Sequence, residues 1–182
     1  MAKTRPEDNP EYHIYRGAEK LNEFKLFNKQ IVNSNYEFFS LLYLVSNDKI
    51  KPDNSKIAMS MMAHPQINIL DLNTGALSGF RKKNGIDFKD LEKSDELRIY
   101  YTRVDVDNHY IFRMYTNKLM ENLIVDEFTN EVHVFDWEGK AVKRLIFEHE
   151  FDNMTLDSKN KKLYMKNGRD EVYCYDIAYI YK

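Results

Sequence analysis

The chain has 182 residues, enough for one domain of ordinary size or two small ones. Its 27 Lys and Arg against 29 Asp and Glu give a net charge of −2, which excludes a protein that coats nucleic acid and a basic membrane-surface module. A hydrophobic fraction of 43% with 14% aromatics supports a packed core and excludes disorder, and the single Cys174 excludes a disulfide framework and a cysteine-based zinc site.

Met1 to Asp8 is polar and leads into no apolar leader, so residues 1–10 are expected to be disordered and no secretory signal is read. Taken as complete, the chain is cytoplasmic. Glu11 to Gly17 and Lys20 to Phe27 read as a pair of strands, the second also fitting an amphipathic pattern. The longest apolar run, Phe38 to Val45 interrupted by Ser40, is too short to cross a bilayer. Lys49 to Met59 has the form strand, polar turn, strand. Gln66 to Leu72 alternates apolar and polar residues, and the turn Asn73-Thr74-Gly75 passes it to a strand at Ala76 to Phe80. Residues 86–97 are the best place for a short helix or ordered loop. Arg103 to Phe112 repeats the strand, turn, strand form. Glu131 to Trp137 alternates again, then Glu138-Gly139-Lys140 turns into a strand at Ala141 to Phe147. Met154 to Met165 is a further hairpin, and Glu171 to Ile177 a further strand.

The runs ending at Asp71, Asp136 and Asp176 are three copies of one unit: strand, turn, strand, loop, strand, tight turn, strand. Asp71 and Asp136 are 65 residues apart, and Asp136 and Asp176 are 40 apart. The shorter spacing fits the roughly 40–50 residues of a four-stranded propeller blade, and the longer one a blade with insertions. The predicted fold is all-β: a partial propeller of about three four-stranded antiparallel blades. A partial blade is expected at 11–32 and further blades at 47–81, 98–148 and 152–182, within one domain over 11–182.

The phrases Lys49-Ile-Lys-Pro-Asp-Asn-Ser-Lys-Ile-Ala-Met, Ile67-Asn-Ile-Leu-Asp-Leu and Glu131-Val-His-Val-Phe-Asp-Trp-Glu-Gly-Lys, followed by Leu156-Asp and Lys161-Lys-Leu-Tyr, resemble the TolB-like six-bladed β-propeller family of bacteria. The resemblance covers roughly residues 11–178 and falls on the C-terminal half of the family pattern. It implies half of a six-bladed ring, a family that is often exported and often lipid-anchored, and hence the cell envelope if the chain is part of a longer one. It implies no catalytic residues.

Strand parity supplies a functional expectation. In an up-and-down sheet alternate connections fall at opposite ends, so the long connections at about 81–98 and 117–130 share one end. Long loops on a rigid scaffold are where binding residues gather. His64, Lys83, Asp87 and His149 belong to that end. The first strands of the blades offer Lys49, Lys51, Arg103, Asp105, Asn153 and Thr155 to a central channel. The predicted binding residues are therefore His64, Lys83, Asp87, Arg103, Asp105 and His149. The expected function is a non-enzymatic binding or scaffold module for a protein, peptide or glycan ligand. Self-association or pairing with another propeller half is expected; nucleic acid and a membrane span are not. The alternatives are a carbohydrate-active hydrolase or lyase on the same scaffold, or a truncated product without independent function.

No cofactor or metal is expected. The five histidines are isolated, and Asp105-Val106-Asp107-Asn108 lacks the Gly and distal Glu of a calcium loop, so it reads as a hairpin turn. There is no phosphate-binding glycine loop and no nucleophile elbow. His133 is expected to be packed and hydrogen-bonded, Cys174 to be a buried inert thiol, Met59, Met61 and Met62 to be core, and Trp137 to lie between blades or on an outer strand.

Overall fold

The computed structural model describes residues 2–3, 11–25, 46–81, 98–119 and 128–182. The chain divides into two compact units, Met1–Val45 and Ser46–Lys182. In the first, β1 (Ala2–Lys3), β2 (Glu11–Arg16) and β3 (Glu19–Lys25) form an antiparallel sheet in that order. Ala2 and Lys3 lie in the stretch expected to be disordered and pair with His13 and Tyr12.

The second unit holds three sheets, each an up-and-down meander. Blade 1 is β4 (Ser46–Ile50), β5 (Lys56–Met61), β6 (Gln66–Asp71) and β7 (Leu77–Arg81). Blade 2 is β8 (Arg98–Val106), β9 (Tyr110–Leu119), β10 (Thr129–Asp136) and β11 (Ala141–Phe151). Blade 3 is β12 (Asn153–Asp157), β13 (Lys162–Lys166) and β14 (Val172–Asp176), followed by a 3-10 turn at Ala178–Tyr181. The first strands lie side by side, with β8 between β4 and β12. The expected short helix or ordered loop at 86–97 lies outside the described residues.

The turns explain the recurring aspartates. Asp71 Oδ1 accepts the backbone N–H groups of Asn73 and Thr74, and Asp136 Oδ1 those of Glu138 and Lys140. Asp53, Asp107, Asp157 and Asp176 accept turn N–H groups in the same way. Each carboxylate replaces the ladder partner that the backbone loses on leaving the strand. Gly75 and Gly139 complete two of these turns at φ of 74° and 80°, the left-handed region that favours glycine.

These hydrogen bonds couple stability to acid. The Lys51 ammonium and the Ser55 hydroxyl and N–H hold Asp53 down at about 2; bonds from Thr74, Asn160 and Lys162 respectively hold Asp71, Asp157 and Asp176 below the usual 3.8. A carboxyl lowered in the folded state stabilises the fold fully above its unfolded value and loses that contribution as pH falls through its folded value. The expected result is cooperative loss of structure between about pH 4 and pH 2. Near-ultraviolet circular dichroism across that range checks it, and an unchanged signal at pH 2 contradicts it.

The middle strands of blade 1, β5 and β6, are buried on both faces, and the outer strands of the blades on one or neither. Ile57 to Met61 of β5 are all buried, whereas β7 is exposed but for half-buried Phe80. That is why β5 reads as a continuous apolar run instead of an alternating one. Between blades 2 and 3 lies a large apolar cluster: Phe112, Met114, Val132, Val134, Leu145 and Phe151 meet Met154, Leu163, Met165, Ile177 and Ile180. Between blades 1 and 2 a smaller cluster joins Ala58, Ile67 and Ile69 to Val104, Ile111 and Trp137. Trp137 thus packs between blades, and its Nε1 donates to the Asp107 carbonyl at 2.9 Å. Met59 and Met61 are buried core, as expected.

Cys174 corrects the sequence reading: its thiol is exposed. Val172, Cys174 and Asp176 of β14 share an exposed face, while Tyr173 and Tyr175 turn toward the core. Alternation identified the two faces, but which face is covered depends on the neighbouring blade.

Candidate functional site

Two of the concavities in the second unit gather polar and aromatic side chains. The first lies among the first strands of the three blades, has a volume of about 370 Å³, and is lined by Asn47, Asp48, Lys49, Arg103, Asp105 and Asn153, with Thr155 at its side. It brings together five of the six residues expected at the channel. Lys51 stands apart, paired with Asp53 at 2.7 Å and held over the Trp137 ring. The crevice is closely tied: Asp105 Oδ2 accepts Leu156 N–H at 2.8 Å, its Oδ1 lies 3.8 Å from Lys49 Nζ, and Arg103 Nε donates to the Asp152 carbonyl at 3.3 Å. Asp105 and Arg103 therefore join blade 2 to blade 3.

Of the other predicted residues, the two that are described, His64 and His149, do not line that crevice. His64 is fully buried in the connection between β5 and β6, where its carbonyl accepts Gln66 N–H. His149 is exposed on β11, its ring 4.6 Å from that of Tyr173. Lys83 and Asp87 lie outside the described residues, as do positions 82–97 and 120–127 of the two long connections. The strand ends that carry those connections are in place. Arg81 pairs with Gln66, and Arg98 with Leu119, so both connections leave the same end of the blades.

The second concavity, of about 770 Å³, is a groove between blades 1 and 2. Sequence reading did not find it. Gly79, Phe80 and Arg81 of β7 form one wall, Ala141 and Arg144 of β11 the other, and Tyr101, Tyr115, Glu131, His133 and Phe135 the floor. The strand Glu131-Val132-His133-Val134-Phe135 puts its odd-numbered residues on this floor and its valines in the core shared with blade 3. At one end Pro65 and Arg81 reach the end bearing the long connections. At the other, Gly139 closes the groove against Phe80, so near that a Cβ on Gly139 would lie 2.1 Å from the phenyl ring.

The floor is one hydrogen-bonded network. Arg144 grips Glu131 bidentately, Nε to Oε1 at 2.6 Å and Nη2 to Oε2 at 2.7 Å. His133 Nε2 lies 2.6 Å from Glu131 Oε1, and its Nδ1 lies 3.2 Å from the Tyr101 hydroxyl. The Tyr115 ring stacks on His133 at 4.3 Å with an interplanar angle of 20°. His133 is thus packed and hydrogen-bonded, as its strand position led one to expect. Burial works to raise the Glu131 pKa, but the hydrogen bonds from Arg144 and His133 outweigh it and hold the carboxyl below its ordinary value. Burial pushes the Tyr101 and Tyr115 phenols up, so both are neutral donors near neutral pH. Behind the floor Arg113 is fully buried; desolvation pulls its guanidinium down to about 9, still charged at neutral pH, and its Nη2 donates to the Asn47 carbonyl at 3.1 Å.

Among the described residues no group of three or more His, Cys, Asp or Glu is placed to hold a metal ion, and no helix is long and apolar enough to cross a membrane.

The family described as TolB-like 6-blade propeller-like matches residues 45–159, and the chain belongs to it. No curated protein matches significantly. Solved structures similar to this chain include a functionally unknown protein from Desulfotomaculum acetoxidans DSM 771, with a TM-score of 0.48 at 7% identity over 90% of this chain and 45% of that one. U3-55K has a TM-score of 0.48 at 8% identity, covering 72% of this chain and 36% of its own. Streptogramin B lyase has a TM-score of 0.40 at 12% identity, covering 72% and 40%. The chain therefore spans less than half the length of each of these proteins.

Proposed function

We propose that the chain is a non-enzymatic binding module built on part of a six-bladed propeller. It works through the end of the blades that carries the connections at 81–98 and 117–130. The observation that supports this most is the common exit of both connections, set by the pairings of Arg81 with Gln66 and of Arg98 with Leu119. Two long segments then extend from one end of a rigid scaffold. The acids of the two concavities favour binding over catalysis. Glu131 is engaged by Arg144 and His133, and Asp105 by backbone N–H groups, so these two carboxylates already have partners within the fold.

The competing reading is a carbohydrate-active hydrolase or lyase, and one experiment separates the two. Glycan and peptide arrays are probed with the chain and with a variant in which 84–95 is replaced by a Gly-Ser linker. The expected result is retention of a glycan or peptide by the chain, at least tenfold weaker retention by the variant, and no turnover on a broad glycoside panel. Turnover, or equal retention by both proteins, overturns the proposal.

A further inference from the structure

The geometry points to the groove between blades 1 and 2 as a docking cleft for an extended peptide of a partner protein, one that carries an aromatic or aliphatic residue two positions from a carboxylate. The inference rests on the reading of the chain as a binding module, but not on the loop-bearing end.

The walls of the groove are sheet edges. β7 and β11 are the edge strands of their sheets, and among the described residues no strand pairs with the outer edge of either. Three consecutive residues of β7, Gly79 to Arg81, line the groove. Successive side chains of a strand point to opposite faces, so three in a row means that the wall is the backbone edge itself. An exposed edge of this kind is a template for one more strand.

Blade 2 is asymmetric. On its blade 3 side, Leu145 and Phe147 of β11 pack into an apolar core. On the other side Arg144 lines the groove, and Ile146, which shares its face through pairing with Glu131, is 61% exposed. The floor below is aromatic and half-buried, a seat for one large apolar side chain.

Charge selects the neighbour of that side chain. Glu131 fixes the Arg144 guanidinium through Nε and Nη2, while the arginine side chain remains 62% exposed at the mouth. A guanidinium held in place by a half-buried acid presents its outer N–H groups to a second carboxylate at little cost in ordering. In an extended peptide, positions i and i+2 face the same way, so an apolar residue on the floor puts a carboxylate at i+2 at the level of Arg144.

The test is selection of a phage-displayed random heptapeptide library on the full chain, followed by titration of the enriched peptides against the chain, Arg144→Glu, Tyr115→Ala and the 84–95 linker variant. The expected result is enrichment of sequences with an apolar residue two positions from Asp or Glu. Arg144→Glu and Tyr115→Ala should each weaken binding at least tenfold. Proline between the two anchor positions should abolish it, and the bound peptide should protect the Gly79 to Arg81 amides from hydrogen exchange. Arg144→Glu alters an exposed side chain, so an unchanged melting temperature certifies its fold. No enrichment, enrichment without an acidic position, or equal binding by Arg144→Glu overturns the inference. Peptides lost only by the linker variant overturn the groove and leave the loop-bearing end as the binding surface.

Discussion

Asp107→Ala is expected to lower the unfolding free energy of the second unit by about 3–4 kcal/mol. Asp107 is 3% exposed. Its Oδ1 accepts the N–H groups of His109 and Tyr110 at 2.7 Å each, and its Oδ2 accepts the Tyr181 hydroxyl at 2.5 Å. Lys161 Nζ lies 3.7 Å from the same carboxylate and 3.8 Å from the centre of the Tyr181 ring. The side chain therefore closes the β8–β9 turn and binds the last turn of the chain to blade 2. Alanine leaves three donors without their acceptor in a part-buried site, each costing about 1–3 kcal/mol before relaxation. The milder substitution Asp107→Asn keeps one acceptor oxygen and should cost about half as much. Urea unfolding followed by the fluorescence of Trp137 measures both. A loss below about 1 kcal/mol for alanine would show that the turn closes without the carboxylate.

Trp137→Ala is expected to cost a further large amount, about 3–5 kcal/mol, read by circular dichroism because the fluorophore is gone. The indole is 4% exposed among Ala58, Ile67, Ile69, Val104 and Ile111, and so contributes to the packing of both blades 1 and 2. Its N–H is bonded to the Asp107 carbonyl, and its own carbonyl accepts Lys56 Nζ of blade 1 at 3.1 Å. The double variant with Asp107→Ala should therefore fall short of the sum by about 0.5–3 kcal/mol, the range for residues sharing a partner. Strict additivity would mean that the two side chains act independently.

The meander was legible because its punctuation is local. Asp71, Asp136 and Asp176 end strands with turn chemistry that each residue carries out on its own neighbours, so spacing along the chain was enough to find it. Lys49, Arg103, Asp105, Asn153 and Thr155, which line one crevice, followed from alternation along the first strands, a property local to each strand. The groove was not legible for a physical reason. Glu131, His133 and Phe135 share a face by simple alternation, but Tyr101, Tyr115 and Arg144 join them only through cross-strand register. That register shifts between Ile99, Tyr101 and Val104 on β8, and again between Thr129 and Glu131 on β10. Such irregularities displace a side chain by one position without a mark in composition. Cys174 failed likewise, since the cover over a face comes from elsewhere in the chain.

The aspartate-closed turns also govern the kinetics of self-assembly. Strands joined by these turns meet across a short connection that a carboxylate folds back, so closure of those hairpins involves little loop entropy and belongs to the microsecond regime. The slow event is then the meeting of completed hairpins, where Trp137 and Tyr181 engage Asp107 across long stretches of chain. Refolding should be paced by this late clasp, with most pairing already present when it forms.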